Sequence, residues 1–254
     1  MKLKVLGCSG GIGAGLRTTS FLLDNDVLID AGTGVQDLTI DELAAIDSVF
    51  LTHSHLDHVA SLPLLIDSVG SVREHPVVVH ALPETIEALK KHIFNWTIWP
   101  DFTQIPSPEK PYLVYQPLSI GRPIILGKRE IWPLRANHTV PALGFHLKGE
   151  SGSLVFSGDT APNPGFWAVA NQIIDLRHLI IETAFSNEEK EIAVKAKHLY
   201  PDQLVTELNC LQSKPQVWIT HLKPLDQKTI SDQVTNQAAA YSPTVLDNGT
   251  TLEF

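Results

Sequence analysis

The apolar residues of this chain come in short runs, many of them β-branched, that are cut off by glycine, proline, asparagine or aspartate. Runs of this kind predict buried strands, because a strand covered on both faces reads as nearly continuous apolar sequence. An early set is predicted near 2–7, 19–24, 27–30, 48–52 and 76–81. A later set is predicted near 112–116, 123–126, 129–136, 142–148, 152–157, 178–182, 215–220 and 244–253. Helices are predicted at about 39–45, 58–70, 83–93, 163–171, 187–194 and 201–212. Pro83-Glu84 and Pro201-Asp202 have the form of helix openings, with proline in the first turn and an acid beside it. The alternation is that of an α/β protein. Early and late strand runs with helices between them suit two sheets packed face to face under outer helices, although periodicity alone does not separate that arrangement from other α/β folds.

The polar positions that break the pattern are the informative ones. Ser48-Val49-Phe50-Leu51-Thr52 reads as a buried strand and runs directly into His53-Ser54-His55-Leu56-Asp57-His58. His53 and His55 lie two apart, so an extended backbone points both the same way. Asp57 and His58 follow a turn and can face the same cavity from another side. Imidazole nitrogens with a carboxylate oxygen suit zinc and its first-row neighbours. Three further ligand-type residues sit just after or within apolar runs: His138 in Ala136-Asn137-His138-Thr139, Asp159 in Ser157-Gly158-Asp159, and His221 in Ile219-Thr220-His221. His75, His80, His92, His146 and His178 read as structural or exposed. The glycine-rich opening Gly7-Cys8-Ser9-Gly10-Gly11-Ile12-Gly13-Ala14-Gly15 is not a nucleotide loop, since it lacks both the dinucleotide fingerprint and a Gly-Lys-Ser/Thr. It is expected to supply positive φ and close backbone approach near the metal cavity.

Composition narrows the reading. The formal charge of −9 argues against a large polyanionic partner, because affinity for nucleic acid comes mainly from Lys and Arg neutralising phosphates. It leaves a small anionic substrate open, since bound cations would dominate the local field. Two cysteines are too few for a disulfide framework, the N-terminus does not form a secretory h-region, and no apolar segment is long enough to span a membrane. A cytoplasmic protein is expected, with no membrane partner. No linker divides the chain and the candidate ligands must meet, so residues 1–254 are read as a single domain.

The segment His53-Ser54-His55-Leu56-Asp57-His58 resembles the His-x-His-x-Asp-His signature of the metallo-β-lactamase superfamily, and His138, Asp159 and His221 follow in that family's order. Within it the chain is most similar to the class II cyclic-nucleotide phosphodiesterases, with ribonuclease Z next. The carrying segments are Ser157-Gly158-Asp159-Thr160-Ala161-Pro162, Ile181-Glu182-Thr183-Ala184-Phe185, His198-Leu199-Tyr200-Pro201 and Thr220-His221-Leu222-Lys223-Pro224. The resemblance implies an αββα sandwich of two mixed sheets covered by helices. It further implies two divalent ions, zinc favoured and manganese or iron as alternatives. One would take His53, His55 and His138, the other Asp57, His58 and His221, with Asp159 bridging. A hydroxide shared by the ions would attack phosphorus.

His198 is the candidate general acid by the same resemblance, and Glu182 its candidate orienting carboxylate; Asp57 is counted with the catalytic residues as well as with the ligands. Lys197 and Tyr200 depart from the family pattern, where a glycine and a small hydroxyl residue are common. The implied activity is hydrolysis of 3′,5′-cyclic AMP or GMP to the 5′-mononucleotide. Alternatives are a ribonuclease Z-like endonuclease, another ester hydrolase of this fold, or a non-catalytic nucleotide-binding relic. The short interval from His138 to Asp159 leaves no room for a tRNA-gripping arm. An aromatic connection, Asn95-Trp96-Thr97-Ile98-Trp99-Pro100-Asp101-Phe102 and onward through Pro111, could stack on a base, form a homodimer contact or close a satellite core.

Overall fold

A computed structural model describes residues 1–254. In chain order the strands are β1 (Lys2–Gly7), β2 (Ser20–Leu23), β3 (Val27–Ile29), β4 (Ser48–Phe50), β5 (Val77–Ala81), β6 (Pro106–Ser107), β7 (Lys110–Pro111) and β8 (Leu113–Pro117). There follow β9 (Ile124–Leu126), β10 (Arg129–Arg135), β11 (Leu143–Lys148), β12 (Ser153–Phe156), β13 (Leu176–Glu182), β14 (Gln216–Thr220), β15 (Thr244–Val245) and β16 (Thr251–Glu253). The α-helices are α1 (Ile40–Ala44), α2 (Leu56–Val59), α3 (Leu62–Val69), α4 (Pro83–His92), α5 (Pro164–Ala170), α6 (Lys190–Ala196), α7 (Pro201–Leu208) and α8 (Gln227–Gln237). Two seven-stranded mixed sheets form, in the orders β16-β1-β2-β3-β4-β5-β8 and β15-β14-β13-β12-β11-β10-β9.

Alternation within each strand decides what the sheets touch. Val27 and Ile29 of β3, Phe50 of β4, Leu154 and Phe156 of β12 and Ile180 of β13 meet in a core of 18 buried residues between the two sheets. The intervening Leu28, Val49, Val155, Leu179 and Ile181 point the other way. On the first sheet they join a core with α3 and α4, on the second a core with α5, α7 and α8. The outer cores hold 23 and 18 buried residues, so the central strands of both sheets are covered on both faces and their continuous apolar runs are explained. The layers are helix, sheet, sheet, helix, as the resemblance implied.

Several predicted elements differ. The helix expected at 58–70 begins at Leu56 and is broken into α2 and α3; Pro63, which has no N–H to give to the preceding turn, occupies the first turn of α3. The strand expected at 244–253 is two strands in different sheets: β15 pairs with β14, β16 pairs with β1, and the chain crosses between them through a turn with Gly249 at φ 86°. The helix expected at 201–212 ends at Leu208, and that at 187–194 opens as a 3-10 turn and runs to Ala196. Helix α8 was not foreseen, because Ile230 and Val234 are its only buried positions. In the aromatic connection, β6 and β7 form a small hairpin, Phe94 and Phe102 join the core beneath α4, and Trp96 and Ile98 face solvent.

One backbone contact joins the fold to the site. Gly158, between β12 and Asp159, adopts φ 61°, and a Cβ there would lie 2.1 Å from the Leu143 carbonyl oxygen on β11. Gly158→Ala adds left-handed strain of about 1–2 kcal/mol and an overpacking cost of about 1–3 kcal/mol. Chemical denaturation should therefore show a loss of roughly 2–5 kcal/mol; a change within about 0.5 kcal/mol would contradict the close approach.

A candidate metal centre at the strand ends

The second sheet runs β12, β13 and β14 in parallel, with Phe156 paired to Ile180 and Glu182 to Thr220. Their carboxyl ends therefore share one edge, where backbone groups no longer pair in the ladder and loops can carry chemistry. Asp159 follows β12, Glu182 ends β13 and His221 follows β14. β10, antiparallel to β11 and so aligned with β12, delivers His138 to the same edge. The first sheet contributes β4, whose end leads into His53, His55 and the α2 residues Asp57 and His58. Thr52 links the sheets, its carbonyl accepting from the Leu143 N–H at 2.9 Å.

The structure brings together every residue expected to be a ligand. His53, His55 and His138 form one group and Asp57, His58 and His221 another, with Asp159 beside His53 and His58; within each group the ligand atoms lie within 4.8 Å of one another. Asp159 Oδ2 is 3.2 Å from His58 Nε2, 3.3 Å from His221 Nε2 and 3.7 Å from His53 Nε2, a central position between the two groups. His138 Nε2 and His55 Nδ1 stand 3.1 Å apart. Two nitrogens on one tetrahedral zinc would be separated by roughly 3.4 Å, given Zn–N bonds of about 2.05 Å. All but His55 and Asp57 are buried.

Hydrogen bonds on the far side of each ring fix which nitrogen faces inward. His58 Nδ1 donates to Asp30 Oδ2 at 2.7 Å and His138 Nδ1 to the Lys197 carbonyl at 3.1 Å; both partners only accept, so both Nδ1 atoms carry hydrogen. The Thr52 hydroxyl gives its hydrogen to Asp30, which leaves its oxygen to accept from His53 Nδ1 at 2.9 Å. Thr19 Oγ1 lies 3.2 Å from His221 Nδ1. The inward Nε2 atoms of His53, His58 and His221 are buried with no hydrogen-bond partner. Burial alone would lower the His58 imidazole, but Asp159 and Asp30 outweigh it and hold it well above its ordinary pKa. Nitrogens crowded around a carboxylate in a dry pocket need positive charge between them, from a proton or a metal ion, and this donor set is the one first-row divalent ions prefer. Burial, reinforced by His58, holds the His53 imidazole well below its ordinary pKa, so its lone pair is free. Burial alone would raise the Asp159 carboxyl, but His221 and His58 outweigh it and hold it well below the usual carboxylate range.

His198 and Glu182 form a buried pair, and His198 also makes a ligand-type group with His138 and Asp159, their ligand atoms within 4.8 Å of one another. His198 Nδ1 is 2.8 Å from Glu182 Oε1, and the His198 ring lies 4.9 Å from that of His138 and 5.2 Å from that of His221, nearly parallel to the latter. Glu182 is fully buried, also accepts from the Thr160 N–H at 3.0 Å, and touches no member of the two ligand groups.

Sequence reasoning did not single out Asp30, Thr19 or Thr52. Asp30 is fully buried at φ 56° and also accepts from the Thr52 N–H at 2.7 Å. The available signal was an acid directly after the buried strand Val27–Ile29. In the opening loop, close approach is realised at Gly10, where a Cβ would lie 2.4 Å from the His221 carbonyl oxygen. Positive φ occurs there only at Gly15, in open space. His221 itself takes φ 68°, held by its N–H to the Cys8 carbonyl at 2.7 Å; such strain collects at functional sites.

Known proteins agree with the geometry. The profile of the beta-lactamase superfamily domain matches residues 25–222. A Yersinia pestis protein described as a probable 3′,5′-cyclic-nucleotide phosphodiesterase is 27% identical over 278 residues, covering 88% of this chain and 78% of its own. A ribonuclease Z from Clostridium beijerinckii is 28% identical over 152 residues, covering 56% and 47%. The crystal structure of unliganded yeast PDE1 superposes with a TM-score of 0.81 at 19% identity, covering 100% of this chain and 99% of that one. This chain belongs to the metallo-β-lactamase superfamily, and its buried His/Asp cluster is that of a metallo-hydrolase.

Elemental analysis of the protein should find about two first-row divalent ions per chain. Asp30→Asn keeps the size of the side chain but weakens its hold on His58, and should lower the affinity for one ion by about 10–100-fold. Wild-type affinity in that variant, read by competition with a chelator, would remove Asp30 from the centre.

Proposed function

We propose that this protein is a binuclear metal-dependent phosphodiesterase that hydrolyses 3′,5′-cyclic nucleotides, cyclic AMP or cyclic GMP, to 5′-mononucleotides. The observation that carries the reading is the Glu182–His198 pair, in which His198, oriented by Glu182, reaches the edge of the ligand cluster beside His138 and Asp159. Divalent ions held by the cluster would supply Lewis acidity and water acidified to near neutrality. What the ions do not provide is a proton for the leaving group. Opening a cyclic phosphodiester expels a sugar alkoxide, a poor leaving group until protonated.

His198 suits that task. Glu182 accepts from Nδ1–H, fixes the ring and turns Nε2 away from itself and toward the cluster. Burial lowers the His198 imidazole, but the Glu182 carboxylate outweighs it and the net shift is upward, in the direction of the protonated form a general acid needs. Asp57 is half-buried in the first turn of α2, its Oδ2 3.7 Å from His221 Nε2, where it offsets charge at the second ligand group.

Substrate size is read from the surroundings. Between His138 and Asp159 the chain makes little more than the β11–β12 hairpin, so no arm extends there to grip a large RNA. The net charge of −9 also disfavours a polyanion over a single small phosphodiester. Similarity to proteins named as cyclic-nucleotide phosphodiesterases supports the same choice.

Metal-loaded protein in isotopically labelled water should convert cyclic AMP or GMP to the 5′-mononucleotide with label on the phosphate. Cleavage of pre-tRNA with negligible turnover of cyclic nucleotides would contradict the proposal. His198→Ala should keep both ions and lose roughly 10²–10⁴-fold in turnover of the cyclic substrate. The loss should shrink on an aryl diester with an activated phenol, which departs without a proton. Equal losses on both substrates would remove His198 from the catalytic residues.

A further inference from the structure

Helix α6 ends on a residue whose conformation its side chain does not favour. Lys197 adopts φ 55°, ψ 52°, the left-handed region that glycine enters freely and a residue with a Cβ enters at a cost. Two polar contacts join it to one distant residue. Its carbonyl accepts from His138 Nδ1 at 3.1 Å, and its Nζ donates to the His138 carbonyl at 3.0 Å. The next residue is His198, with its ring 4.9 Å from that of His138. One dipeptide thus holds both a ligand imidazole and the imidazole assigned as proton donor.

We propose that Lys197 is a positioning residue, its side chain closing a clamp that fixes His138 toward its ion and sets the spacing between His138 and His198. The carbonyl contact is available to any residue at 197, but by itself it is a single hydrogen bond about which the His138 loop can swing. The ammonium group grips the backbone of the same histidine whose ring the carbonyl grips. Backbone and ring are then tied to one residue, and the loop 136–142 cannot move without breaking a charge-assisted bond. A lysine in a glycine-favouring conformation is thereby explained: the side chain does something glycine cannot. The inference rests on the cluster being a metal centre.

The test compares Lys197→Gly, Lys197→Met and Lys197→Arg with the wild type. It reads zinc retention against a chelator, melting of the metal-free protein, and kcat and KM on a cyclic nucleotide. Lys197→Gly relieves the backbone, so its metal-free melting temperature should equal or exceed that of the wild type. Its zinc should nevertheless be stripped at about tenfold lower chelator, with kcat reduced and KM little changed. Lys197→Met should lose zinc equally, and Lys197→Arg should recover much of the loss. If Gly and Met variants keep zinc and kcat at wild-type values, Lys197 is only a helix terminus and the clamp is wrong. A Gly variant less stable without metal would make Lys197 a fold-supporting residue and equally overturn the clamp. Wild-type protein that takes up no zinc would overturn the metal-centre reading itself, an outcome distinct from either.

Discussion

The rest of the site depends on buried imidazole nitrogens that face one another and a carboxylate without a hydrogen-bond partner of their own. His53, His58 and His221 each turn an unpartnered Nε2 toward Asp159. Left unsatisfied, each such atom costs roughly 1–3 kcal/mol. The outward nitrogens receive the opposite treatment: Asp30, Thr52, Thr19 and the Lys197 carbonyl stand at hydrogen-bond distance from an Nδ1. The surrounding structure thus turns these nitrogens inward around Asp159, where a divalent cation is the partner that would close the electrostatics. The fold serves this end by bringing the carboxyl ends of β10, β12 and β14 to one edge and the end of β4 to face them.

Much of this was legible in the sequence for a physical reason. Ligands at strand ends directly follow apolar runs, so His53, Asp159 and His221 announce themselves by breaking a hydrophobic pattern. The central strands of both sheets are covered on both faces, which made them readable as continuous runs but hid the division of strands between sheets. The segment 244–253 shows the limit: its two ends belong to different sheets, and nothing in its composition says so. Helix α8, with two buried residues on a polar background, carried too little periodicity to be found. Asp30 was not legible, since a lone acid after a strand has no spacing that marks it. Its burial and its bond to His58 are properties of the folded chain.

Under the proposed function the arrangement separates two duties of a phosphodiesterase. The cluster would hold the ions that supply positive charge and acidified water, and under the proposed function the Glu182–His198 pair beside it would supply the proton. Lys197 joins the two, because its carbonyl accepts from His138 Nδ1 and its chain neighbour is His198, the proposed proton donor. The fold is shared with proteins of several activities, so the chemistry has to be argued from these side chains.

The central claim is that His53, His55 and His138 on one side and Asp57, His58 and His221 on the other hold two ions across Asp159. X-ray absorption spectroscopy on the zinc-loaded protein tests it most directly. The spectrum should show a first shell of nitrogen and oxygen with strong imidazole scattering and a metal–metal vector of about 3.5–4 Å, lost in Asp159→Ala. A single isolated zinc, with no metal–metal vector at saturating metal, would contradict it.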